Sequence, residues 1–162
     1  MSIARVLFGS ALMCSATLVS AACAVTDPVV AAQSLYSNHR DFHVADHGDT
    51  TPIAASLLKL LERDWVCQQP GEQCAISADP WTNAQDGDVL KPPLFERLAG
   101  TDPLKAVVEM TYPFGWQETA AEATTQTTQI VLSRSKEDAC WLLEDLRVGA
   151  SSLRETLESA AY

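Results

Sequence analysis

Apolar positions recur at helical spacing in the first half of the chain and alternate in the second. Asp27-Pro28 is a helix start, the acid serving as N-cap and the proline sitting in the first turn. Val29, Ala32, Tyr36 and His39 follow at helical spacing, and the polar run from Arg40 to Thr51 predicts a loop. Thr51-Pro52 opens a second helix by the same logic. Ala54, Leu58, Leu61 and Trp65 form its apolar stripe, widened by Ile53, Leu57 and Leu60, with Lys59, Glu62 and Arg63 on the other face. Pro70-Gly71 ends it.

After an irregular stretch from Ala75 to Val89, the period changes to two. Four strands are predicted: Leu94 to Leu98, Leu104 to Tyr112, about Thr125 to Arg134, and Cys140 to Val148. Ala106, Val108, Met110 and Tyr112 share one face of the second. Ser152 and Glu155 stand at capping-box spacing before a short helix carrying Leu153 and Leu157. The expected fold is α+β: two N-terminal helices packed on one face of a four-stranded antiparallel sheet, with a short C-terminal helix. The connection from Phe114 to Thr124 is far longer than a tight hairpin needs.

The beginning of the chain changes the picture. Residues 1–24 hold Arg5 and no acid; an apolar stretch from Ile3 to Val19 leads into Ser20-Ala21-Ala22-Cys23-Ala24. This is the pattern of a secretory signal, with cleavage after Ala22 or Ala24, leaving one domain over 25–162. The stretch is short and broken for a helix that needs about twenty apolar residues to span a bilayer. Cys23 is also a candidate for lipid attachment, although the leucine usual three positions upstream is missing. Export to the periplasm is the expectation in either form.

The whole chain of 162 residues carries 11 Lys and Arg against 21 Asp and Glu, a net charge of −10, and losing the leader removes only Arg5. Such acidity opposes binding to nucleic acid or an anionic membrane, which need a positive surface. It suits a basic protein partner. In an oxidising compartment Cys67 and Cys74 are the natural disulfide pair, closing a loop just beyond the second helix. Cys140 is left over and expected as a buried strand residue.

The run Leu61-Glu-Arg-Asp-Trp-Val-Cys67, then Gly71-Glu72-Gln73-Cys74, then Asp79-Pro80-Trp81-Thr82-Asn83-Ala84-Gln85-Asp86 resembles a family of exported bacterial envelope domains, some of them lipoproteins. Trp141-Leu142-Leu143-Glu144-Asp145-Leu146-Arg147 extends the likeness, which covers about residues 28 to 158. The resemblance implies a cone-like, nuclear-transport-factor-like fold in which a curved sheet wraps a helix. It brings no catalytic residues with it, and the Phe114 to Thr124 stretch departs from the family pattern.

Three places could carry chemistry. His39, His43 and His47 stand four residues apart among Asp41, Asp46 and Asp49, and on a continuous helix their rings would share a face suited to zinc. Asp46, Gly48, Asp49 and Pro52 oppose that continuation, and a solvated polar loop is the plainer reading. Trp81 and Asp86 belong to a loop that could line the mouth of a cone, or could equally be architectural, its acids bonding nearby amides and Trp81 covering the core edge. Phe114, Trp116, Glu118 and Glu122 form a third set, with Trp116 either a contact anchor or folded back on the sheet. Glu144 and Asp145 would point to opposite strand faces and so cannot flank one bond.

No G-x-S-x-G elbow, phosphate-cradling loop or dinucleotide fingerprint is present. The expectation is a non-enzymatic protein-binding domain of the envelope, in its most concrete form an inhibitor or immunity protein blocking a toxic hydrolase. The alternative is a small-ligand or metal-binding module, and no cofactor other than zinc is suggested.

Overall fold

The computed structural model describes residues 25–45, 49–68, 72 and 74–161. The leader, Cys23 and His47 therefore lie outside the described residues. Helix α1 spans Pro28–Asn38 and helix α2 Ala55–Gln68. Six strands follow: β1 (Asp88–Val89), β2 (Leu94–Arg97), β3 (Lys105–Gly115), β4 (Thr124–Ser133), β5 (Leu142–Val148) and β6 (Ser151–Ser152), before helix α3 (Leu153–Ser159). The strands run β1-β3-β4-β5-β6 with β2 also on β3, every pair antiparallel. The fold class is α+β as expected, but with six strands in place of four. The two additions, β1 and β6, are two residues long and leave no periodicity to read.

Alternation in β3 and β4 decides which face is covered. Ala106, Val108, Met110 and Tyr112 are buried, facing Leu132, Ile130, Thr128 and Gln126 across the register. The helices bring Ala32, Leu35, Leu57 and Leu61 into the same core, and α3 adds Leu153 and Leu157. On the opposite sheet face Val107, Glu109, Thr111, Thr127 and Gln129 are not buried, while Asp145, in register with Val131, is.

Local chemistry sets the helix ends. The Asp27 carboxylate accepts from the Val29 amide at 2.7 Å, and the Ser152 hydroxyl accepts from the Glu155 amide at 3.1 Å, as the capping patterns predict. Thr51-Pro52 does not start α2. The Pro52 carbonyl accepts from the Leu143 amide at 2.7 Å, and the Ala54 amide donates to the Leu143 carbonyl at 2.9 Å. Ile53 thus forms a parallel bridge with Leu143, and the helix begins only when that pairing ends.

The Cys67–Cys74 disulfide forms as predicted. Asp64, fully buried one turn before it, accepts from the Ala75 amide and from the Gln68 side chain, both at 2.8 Å. The segment beyond the disulfide is thereby tied back to α2. Cys140 corrects its expectation. It is exposed, lies two residues before β5 and is disulfide-bonded.

Candidate functional site

Register places the Trp116 region. β3 continues to Gly115, three residues past the predicted end, so Phe114 is a strand residue paired with Val89 on one side and Thr124 on the other. Phe114 packs against the core and meets the Tyr112 ring edge-on at 6.3 Å. It supports the end of the sheet while remaining partly exposed. A Cβ on Gly87 would lie 2.8 Å from the Phe114 ring, and Gly87 has φ +102°, so glycine there lets β1 close over that ring.

The predicted long connection is taken up by a short 3₁₀ helix, Gln117–Glu122, bridging β3 and β4. Trp116 sits where the strand gives way to that turn and is 54% exposed. Acids lie near it in register and sequence. Asp88 stands opposite Gly115, exposed Asp86 lies two residues earlier, and exposed Glu122 closes the turn. Glu118 contributes its backbone to the turn, its side chain lying outside the described residues. Asp88 was missed in the sequence because only strand pairing brings it here. Leu94, 75% exposed, stands across from Thr111 on the uncovered sheet face, roughly 16 Å along β3 from Trp116 at the usual rise per residue.

The Asp79 to Asp86 loop is architectural over most of its length. Trp81 is fully buried, packed edge-on against Tyr36 at 5.3 Å and Phe42 at 6.1 Å, so it offers no surface to a partner. Its indole donates to the Arg40 carbonyl at 2.9 Å, and its carbonyl receives the Tyr112 and Thr128 hydroxyls. Asp79 accepts from the Trp81 amide at 2.8 Å and from the Arg40 guanidinium at 3.2 Å. Asn83 takes the left-handed conformation that turns the loop, φ 52°, and donates to Ser151 at 3.1 Å. Asp86 alone of this segment's proposed contacts faces solvent.

His39 and His43 do not share a helix face. α1 ends at Asn38, where the His39 amide donates to the Leu35 carbonyl and closes the helix. His43 follows in a turn, its ring edge-on to Phe42 at 5.8 Å and its Nδ1 buried without a hydrogen-bond partner. Burial lowers its pKa, against the opposing pull of Asp79 and Asp41. Among the described residues no three His, Cys, Asp or Glu gather as a metal group.

Glu144 and Asp145 also differ from the alternation argument. A register shift between Val131 and Leu132 interrupts the ladder, and both carboxylates engage Arg154. Glu144 pairs with its guanidinium at 2.9 Å, and buried Asp145 accepts from its amide at 3.0 Å. Both acids are committed to holding α3. A separate apolar groove of about 190 Å³ runs past Val25, Leu35, His39 and Trp141.

The chain matches no family model, no curated protein and no solved structure. No helix among the described residues is long and apolar enough to cross a membrane.

Proposed function

We propose that this protein is an exported, non-enzymatic domain that binds another protein in the bacterial envelope through the β3–β4 turn. The observation that carries the reading is Trp116, more than half exposed where β3 ends, with Asp88 in register with the preceding Gly115 and exposed Asp86 and Glu122 on the adjoining segments. A large amphipathic ring presented on a fixed backbone loses little entropy on binding, and such residues dominate interface energetics. The acids would meet basic residues around a cleft, raising the association rate, while the ring's fit sets residence time. An inhibitor or immunity protein that seats this turn in the cleft of a toxic hydrolase is the concrete form. Within this reading the fold is a nuclear-transport-factor-like cone, supported by helices on one face of an open antiparallel sheet.

The test is capture from an envelope extract by wild type and by Trp116→Ala, with chemical crosslinking to locate the contact. Stoichiometric capture weakened about thirtyfold by the substitution is expected, the equivalent of roughly 2 kcal/mol for a central anchor. Equal capture by both proteins, or none by either, overturns it. The groove beside Trp141 favours a second reading, an apolar small-ligand module, which predicts binding untouched by Trp116→Ala.

A further inference from the structure

Cys140 is disulfide-bonded, while Cys67 and Cys74 are bonded to each other. The chain's five cysteines leave Cys14 and Cys23 as intramolecular partners. The path of the chain chooses between them. The Trp141 indole donates to the Thr26 carbonyl at 2.8 Å, and Val25 packs against the core and lines the same groove as Cys140 and Trp141. Residues 25 and 26 therefore run beside residues 140 and 141. Cys23 is three residues from the fixed Thr26, a reach of roughly 10 Å at most, and Cys140 is exposed on that side of the groove. Cys14 is nine residues further from the anchor and sits inside the apolar leader.

We infer that Cys23 and Cys140 form a second disulfide, which staples the start of the mature chain to the residue before Trp141. Two thiols lose two protons and two electrons, and the acceptor is a protein disulfide of the exported compartment, reduced to its dithiol through a mixed disulfide. On the export reading, two consequences follow. The leader must be cut on the N-terminal side of Cys23, since a cut after Ala24 would discard the cysteine. The Cys23 sulfur is also committed, so it carries no lipid.

The experiment is expression with the native leader, thiol blocking with N-ethylmaleimide before lysis, then intact mass and non-reducing peptide mapping. The expected result is a mature N-terminus at or before Cys23, no maleimide on any cysteine, and one peptide pair joining Cys23 to Cys140. Reduction followed by alkylation then adds four alkyl groups. An N-terminus at Val25, a diacylglyceryl mass on Cys23, or a maleimide on Cys140 in exported protein overturns the inference. Cys140→Ser is expected to leave a single blocked thiol, at Cys23. If the chain is not exported, protein from Cys23 onward, oxidised in a glutathione buffer, decides the disulfide separately from the compartment. The Cys23–Cys140 peptide pair there supports the bond while the export reading fails, and free thiols there refute the bond.

Discussion

The Trp81 carbonyl offers a sharp test of how the core is held. It lies in the interior with two hydroxyls aimed at it: Tyr112 at 3.1 Å and Thr128, themselves 3.1 Å apart. Burial raises the Tyr112 phenol above its ordinary pKa, keeping it a proton donor. Thr128→Val keeps the side-chain shape and removes one donor, but Tyr112 still satisfies the carbonyl. Tyr112→Phe does the converse. Each single change should cost about 1 kcal/mol, the usual net worth of a buried hydrogen bond. The double variant leaves the carbonyl buried with neither hydroxyl, and that desolvation adds roughly 1–3 kcal/mol. The pair should therefore cost more than the sum of its parts by at least about 1 kcal/mol. Urea unfolding followed by tryptophan fluorescence, with disulfides intact, measures all four corners of the cycle. Additivity within roughly 0.5 kcal/mol would refute shared satisfaction of the carbonyl.

Four further perturbations are expected to separate the remaining devices. Replacing both Cys67 and Cys74 by serine releases the short loop after α2, with an expected loss of roughly 2–3 kcal/mol by denaturant melt. Asp145→Asn should cost roughly 1.5–3 kcal/mol, because the buried carboxylate accepts from Ser152, Arg147 and the Arg154 amide. Arg147→Ala, which removes only a half-exposed partner, should cost under about 1 kcal/mol in the same melt. His43 has its folded pKa lowered by burial, so the unfolded chain binds the proton more readily. Its contribution is complete above the ordinary value of about 6.5 and is lost as pH falls through the lower folded value. Unfolding midpoints from pH 7.5 to 5 should fall more steeply for wild type than for His43→Gln, and parallel slopes would contradict this.

Much of the fold was legible because short-range rules decided it. Asp27 and Ser152 cap as their neighbours require, and the alternation of Ala106 to Tyr112 identifies the buried face. What stayed hidden depends on residues distant in sequence. Pro52 to Ala54 carries helix-start chemistry, yet its backbone finds Leu143 first. Asp64 reads as one more polar helix residue until the Ala75 amide arrives to claim it. The candidate site divides the same way. An aromatic beside glycine marked Trp116, whereas Asp88 joins it only through strand pairing, and the burial of Trp81 requires Tyr36 and Phe42. Cys140 was misplaced because counting cysteines within 25–162 alone made it odd.

The bridge between Ile53 and Leu143, with the Trp141 bond to Thr26, also dictates an order of assembly. Helices α1 and α2 emerge first during synthesis, but their floor is made of strands that come later, and the Trp141–Thr26 contact closes 115 residues of chain. Closing so long a span precedes any reward from it, which slows folding and leaves apolar helix faces bare meanwhile. A nascent chain of this topology cannot complete its core until β5 and α3 are available.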